Sequence, residues 1–439
     1  MLLTVISVLF FTALNESVAT VMYTDLVRDL EKGITTIQWV TTGFVLVLAI
    51  GMVFSSFVAR HLYMRTIFFT AVVLFTIGSV VCVIAHSFII LLIGRIIQAF
   101  GTAILMPQIS NIVVIMSPKR RIGFYNGVTM LVIITGNALG PTLSGLITKA
   151  LGWRYVYACM IPIPVIGGIV GYWTVGNIIE QDHNKLDILS SILAVLGYGG
   201  ISFGLGNTGT YGFKSPMVIA SLVVGLISLI LFFIWENICK NPIVSLKNMG
   251  KPLFIFNVFL STINCSTLLG WLAILPFIIQ NALGKSVSIG GLALLPGAGF
   301  VVIFLSSLFA FLMFINDKVQ LWVIIVTYAC GCIGLPIVQS IYTSSCLTSV
   351  PPQSTPHAAA IYHSFFQLFG ALGSAVYVAL LNNFDNVSFN SSHNPLINGG
   401  SVCFLLTMTV SFITLVLGLI WSLYFFKDHD SKGNPKQKN

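Results

Sequence analysis

Two ionisable residues stand inside long apolar runs of this chain, and their types and spacing suit proton chemistry. Arg95 lies in Leu91-Leu92-Ile93-Gly94-Arg95-Ile96-Ile97-Gln98-Ala99-Phe100-Gly101. An arginine at the centre of an apolar helix costs about 3 kcal/mol on insertion scales and marks a functional candidate. It sits about eight residues, roughly 12 Å, into its run, which is far for snorkelling to the interface. Glu16, in Ala13-Leu14-Asn15-Glu16-Ser17, is the only acidic residue well inside an apolar span of the N-terminal half. About seven residues separate it from the outer end of that span near Tyr23. Antiparallel helices place the two at similar depth, where they could pair. Desolvation and a nearby cation act oppositely on a carboxylate's proton affinity. Such a pair suits a proton site that responds to substrate or conformation; the plainer reading is a static ion pair joining two helices.

A third pattern is Gly136-Asn137-Ala138-Leu139-Gly140-Pro141-Thr142-Leu143-Ser144-Gly145. Glycines at 136, 140 and 145 let helices approach closely, and Pro141 removes a backbone hydrogen bond and bends its helix. No HExxH, GxSxG or phosphate-binding glycine loop occurs, nor a His/Asp cluster in the apolar spans, so the expectation is no enzyme. The cysteines show no CxxC or Cys/His spacing and read as small hydrophobes, so no metal or cofactor is expected.

The elements that must position these residues follow from composition. The chain has 439 residues, 56% hydrophobic and 8% charged, with mean hydropathy +0.98. Soluble domains carry roughly a quarter charged residues, so lipid must be the solvent here and the fold class is an all-α membrane protein. The 21 Lys and Arg give a net charge of +9 but form no stripe; they read as orientation signals and not as a nucleic-acid surface. Apolar runs long enough to span lie near 2–22, 37–58, 64–85, 88–115, 123–148, 154–176, 188–206, 216–235, 253–280, 286–315, 320–341, 358–381 and 401–426. The run 286–315 is too long for one untilted span and too short for two. The N-terminal run is too long, and lacks the basic start, for a cleaved signal peptide; its abrupt start suggests that a few residues precede it. Arg60, His61 and Arg65, then Lys119, Arg120 and Arg121, then Lys240, Lys247 and Lys251 fall in alternate loops, which the positive-inside rule makes cytoplasmic. The tail with Lys427, Lys432, Lys436 and Lys438 favours the same side. Asn386-Val387-Ser388 and Asn390-Ser391-Ser392 are weak glycosylation matches.

Together these strings resemble the major facilitator superfamily. The Arg95 segment is similar to that family's fourth-helix motif, and Gly136–Gly145 to the fifth-helix motif of proton-driven exporters. Asn15-Glu16 with Val18-Ala19-Thr20-Val21 and Trp39-Val40 resembles the opening of the drug:proton antiporter branch with fourteen spans, that of EmrB and QacA. Gly152-Trp153-Arg154-Tyr155, Leu294-Leu295-Pro296-Gly297 and Gln367-Leu368-Phe369-Gly370 also resemble strings of that branch. The resemblance implies about 13–14 transmembrane helices in two pseudo-symmetric bundles. The expected organisation is a six-helix bundle over 1–180, a helix pair and linker over 181–250, a second bundle over 251–426 and a polar tail over 427–439. It further implies alternating-access, proton-coupled efflux of amphipathic drugs, dyes or toxins across a bacterial cytoplasmic membrane by a lipid-embedded monomer. Glu16 and Arg95 would couple protons. Asn15, Gln98, Gln108, Asn137, His363 and Gln367 would line the substrate cavity, and Gly136, Gly140, Pro141, Gly145, Arg60 and Arg65 would serve packing and gating.

Two departures weigh against a simple carry-over. The family's loop between helices two and three reads Gly-x-Leu-Ala-Asp-Arg-x-Gly-Arg, whereas here Ser56-Phe57-Val58-Ala59-Arg60-His61-Leu62-Tyr63-Met64-Arg65 puts Arg60 in place of the acid and Tyr63 in place of a glycine. The second copy of that loop, expected after Gly297, is not found, as if one helix and the loop were missing; Phe366 stands where a basic residue usually precedes Gln367. The rival expectation is therefore a carrier homologue that no longer transports.

Overall fold

The computed structural model describes residues 1–118, 121–177, 181, 186–212, 214–239, 241–246, 249–281, 339–383, 400–414 and 416–417, with side chains masked at a few of these. The run 286–315, most of 320–341, Lys119, Arg120, Lys240, Lys247, Leu294–Gly297, the glycosylation matches and the tail lie outside the described residues.

Every regular element described is helical. The apolar runs become α1 (Leu2–Ser17, prolonged by a 3-10 turn at Val18–Val21), α2 (Trp39–His61), α3 (Met64–Val83), α4 (Phe88–Met116), α5 (Ile122–Leu151), α6 (Trp153–Thr174), α7 (Ile188–Gly206), α8 (Pro216–Ile238) and α9 (Pro252–Asn281). They continue with α10 (339–348), α11 (Thr355–Asn383) and α12 (Gly400–Thr414). Nine helices among the described residues are long and apolar enough to cross a membrane. α4 and α5, at 29 and 30 residues, exceed the roughly 20 that a bilayer core needs, so their ends project into the loop layers. The span expected at 154–176 forms in two pieces, Trp153–Cys159 and Pro162–Thr174. Pro162 begins the second piece, where its missing N–H loses nothing.

Polarity is distributed for lipid. α8 turns Val223, Val224, Leu226, Ile227, Ile230, Leu231 and Ile234 outward, while Asn15, Arg95, Gln98, Gln108 and Ser110 are fully buried. In lipid, apolar burial drives helix association weakly, and close backbone packing takes its place. Gly136 and Gly140 show this: a Cβ there would stand 2.8 Å from the Phe10 carbonyl and 2.6 Å from that of Leu14. α1 and α5 therefore touch along their backbones. Gly145 plays no such part, since nothing lies within 4 Å of its Cβ position. Ser144 makes the contact instead, donating to the Val18 carbonyl at 2.7 Å.

α1–α6 pack together, and α9 packs against α11. α10 and α12 join the latter group through Gln339 to Tyr362 and through Tyr377 to Thr407. α11 lies against α2 and α4, and is the main contact from this group to α1–α6. α7 and α8 form a tight pair beside α2. Asp187 caps α7 by accepting from the Ser190 N–H at 2.8 Å, and the Trp235 indole of α8 donates to the same carboxylate at 2.8 Å. The end of α2 and the linker after α8 meet at one end of the molecule, as the alternation of basic loops requires.

Candidate functional site

α1 stops being α-helical at Ser17, and the last four carbonyls of an α-helix lack partners within it. Arg95 takes one of them. Its Nη1 donates to the Asn15 carbonyl at 3.0 Å and to Gln98 Oε1 at 3.2 Å, and its Nε donates to the Val40 carbonyl at 3.2 Å. The guanidinium lies 4.2 Å from the Phe44 ring centroid, a cation–π contact in a water-poor setting. Gln98, one turn along α4, accepts from Asn15 Nδ2 at 3.1 Å and donates to Ser79 Oγ at 2.8 Å. One network therefore ties the end of α1 to α2, α3 and α4.

Glu16 follows Asn15 by one residue and so points about 100° further round the helix. Its Oε1 accepts from Gln367 Nε2 of α11 at 2.7 Å, and its Oε2 from Asn137 Nδ2 of α5 at 3.5 Å. The carboxylate is 8% exposed and Gln367 1%. The expected Glu16–Arg95 pair does not form: the two share a depth but face different neighbours. Arg95 Nε and Nη1 meet carbonyls and an amide, and Glu16 meets two amides. Buried polar atoms in this region without a hydrogen-bond partner include Asn15 Oδ1, Asn137 Oδ1, Arg95 Nη2 and Tyr157 Oη.

The structure brings Asn15, Gln98, Asn137 and Gln367 to the surroundings of Glu16 and Arg95, but separates Gln108. That residue lies ten positions beyond Gln98, roughly 15 Å along α4, donating to the Ser55 carbonyl at 3.1 Å and accepting from Asn111. His363 is one turn from Gln367 on α11 and meets Ser110 Oγ at 2.9 Å through Nε2. Gln108 thus faces α2, and His363 bridges α11 and α4. Gly136, Gly140 and Pro141 line the α1 contact, where Ser17 donates to the Asn137 carbonyl at 2.7 Å. Arg65 is engaged with α6, donating to the Tyr172 carbonyl at 2.8 Å and lying over that ring. Arg60 donates to the carbonyls of Pro242 and Ile243. Ser79, Phe44 and His357 were not singled out in the sequence. A serine or a lone histidine in a helix carries no periodic signal, and only a polar residue among apolar ones hints at them.

The family model described as Major Facilitator Superfamily matches residues 5–374. The lincomycin resistance protein LmrB of Bacillus subtilis (strain 168) is 30% identical, over 93% of this chain and 92% of its own. The methylenomycin A resistance protein of Streptomyces coelicolor (strain ATCC BAA-471 / A3(2) / M145) is 23% identical, over 86% of this chain and 84% of its own. Among solved structures, the proton:xylose symporter XylE bound to 6-bromo-6-deoxy-D-glucose superposes with a TM-score of 0.63 at 14% identity, covering 96% of this chain and 95% of that one.

Proposed function

The chain belongs to the Major Facilitator Superfamily, a multi-pass membrane transporter of small molecules and not an enzyme, and from that premise we propose that it exports amphipathic drugs in exchange for protons. The relatives named for lincomycin and methylenomycin resistance support an antibiotic-like substrate. The opening motif and the fifth-helix motif support the fourteen-span antiporter branch, with a shortened segment near 286–315.

The observation that carries this reading is the position of Glu16, a buried carboxylate held by one amide from α5 and one from α11. Hydrogen bonds to an ionised carboxylate are roughly twice as strong as neutral ones. Protonation would weaken the bond to Gln367 and loosen α1 from α11, which is the change that alternating access needs. Deprotonation toward the other side would restore it. Arg95 does not share the proton in this scheme; it holds the end of α1 so that Glu16 keeps its direction. A membrane potential of 100 mV contributes about 2.3 kcal/mol per charge moved, enough for modest uphill export. The unpartnered Asn15 Oδ1, Asn137 Oδ1 and Arg95 Nη2 would meet polar groups of the substrate.

The test is lincomycin and cationic-dye export from cells that lack their own pumps, with and without an uncoupler. Export that collapses with the uncoupler and with Glu16→Gln is expected. Export indifferent to both would remove Glu16 from the mechanism, and no export of any tested drug would favour the non-transporting alternative.

A further inference from the structure

The segment joining α8 to α9 is not a surface linker. Ile243 and Val244 are 1% and 0% exposed and belong to the main apolar core. A non-helical backbone inside a core needs partners for its N–H and C=O groups, and three side chains from three helices supply them. Arg60 of α2 donates through Nη2 to the Pro242 carbonyl at 3.2 Å and the Ile243 carbonyl at 3.4 Å. Glu236 of α8 accepts the Val244 N–H at 3.1 Å. His357 of α11 accepts the Ser245 N–H at Nδ1, at 3.1 Å. The same Nδ1 lies 2.8 Å from Ser56 Oγ of α2. Because the Ser245 N–H can only donate, Nδ1 carries no proton, so the Ser56 hydroxyl donates as well and the ring proton sits on Nε2.

Helices α2 and α11 belong to opposite halves, so His357 joins both halves and the linker at one atom. The contacts around it run the same way: Asn126 of α5 donates to Ser344 of α10 at 3.0 Å, Ser340 of α10 to the Gly123 carbonyl at 2.7 Å, and Ser110 of α4 meets His363. Among the described residues, these contacts hold α2, α4 and α5 against α10 and α11 at this end. The reversed charge at residue 60 is intelligible here. A guanidinium donates and cannot accept, and its partners are backbone carbonyls of the linker.

We propose that residues 242–245 are the bolt of the gate at this end, clamped by Arg60, Glu236 and His357, and that His357 is the positioning residue whose unprotonated Nδ1 couples the linker to α2. The inference rests on the alternating-access reading, in which this end must open in each cycle. Opening separates Ser56 from His357 and frees the Ser245 N–H, so the linker moves with the gate.

The experiment reads gate opening without any substrate, so that it stands or falls apart from drug export. Cys346 is fully buried, two residues from Ser344 at this end. Its maleimide labelling in the purified protein, followed by mass spectrometry of its peptide, reports opening. His357→Leu removes the acceptor of two hydrogen bonds, those from the Ser245 N–H and the Ser56 hydroxyl, and is expected to label more than about tenfold faster than the parent. His357→Asn, whose Oδ1 accepts where Nδ1 did, is expected to restore slow labelling. Ser245→Pro removes the N–H donor, together with the hydroxyl and the freedom of φ, and is expected to label about tenfold faster than the parent; the double variant should label no faster than His357→Leu. If His357→Leu does not accumulate, Ser245→Pro and His357→Asn carry the test. Ser245→Pro labelling at the parent rate, or His357→Asn labelling as fast as His357→Leu, would overturn the proposal.

Discussion

Gln367 Nε2 donates to Glu16 Oε1 at 2.7 Å, so one hydrogen bond spans 351 residues of sequence and joins α11 to α1. It connects α1 and α11 of a transporter at a group able to bind a proton. Gln367→Leu leaves the carboxylate with the longer Asn137 contact alone and should lower drug export about tenfold, the effect expected from one lost charge-assisted bond. Gln367→Asn, one methylene shorter, should fall between. Dye efflux from energised vesicles measures both; export by Gln367→Leu at the parent rate would argue against this bond as the coupling contact.

Arg95 is satisfied chiefly by carbonyls, and this gives a prediction that differs from the ion-pair expectation. If Arg95 served to balance Glu16, Glu16→Gln would strand a charge and destabilise the fold strongly. With the observed partners, Glu16→Gln should change the melting temperature in detergent by a few degrees at most. Arg95→Met should lower it sharply, because removing the guanidinium leaves the Asn15 carbonyl at the end of α1 buried without a donor, at about 1–3 kcal/mol, and also takes away the bonds to Val40 and Gln98. Equal destabilisation by the two variants would restore the ion-pair reading.

The glycines of the fifth-helix motif should separate by position. Gly140→Ala places a methyl against the Leu14 carbonyl and the Ser17 hydroxyl, which forces α1 and α5 apart at a cost of about 1–3 kcal/mol. Gly145→Ala meets open space and should stay within about 0.5 kcal/mol of the parent. Thermal unfolding of both in the same detergent tests the pair.

Asp187 offers a pH dependence outside the spans. Partial burial raises its pKa, but the Ser190 N–H and hydroxyl and the Trp235 indole outweigh that and hold the carboxyl below its ordinary 3.8. A carboxyl with a depressed folded pKa stabilises fully above its unfolded value and loses that contribution as pH falls through the folded one. Hydrogen exchange of the Ser190 amide should therefore show protection falling below about pH 4, relative to the intrinsic rate at each pH. Asp187→Asn keeps a good helix cap and should flatten that dependence; an unchanged profile would mean that the cap does not govern this end of α7.

The sequence itself carried much of the architecture. Helix positions from α1 to α9 followed from apolar runs, since lipid demands continuous backbone hydrogen bonding within each span. Pro162, one residue inside an apolar run, was enough to split α6, a break that hydropathy alone smooths over. Glu16, Arg95, Asn137 and Gln367 were recognisable as polar residues that lipid does not tolerate without a role. Their pairings were not recognisable. Depth along a helix is a matter of counting, and Glu16 and Arg95 were rightly placed at one level.

Read alone, the amino-acid order was therefore enough for membership of an apolar helical family, for the spans, and for which side chains must face inward. Only the tertiary structure decided who meets whom. One residue of offset turns a side chain by about 100°, so Asn15 reaches Gln98 while Glu16 reaches Asn137 and Gln367. The same holds for Arg60, whose reversed charge read as a lost latch until the linker carbonyls came into view. Local propensity acts over a few residues, whereas these contacts join positions 83 to 351 apart, and packing geometry alone selects them.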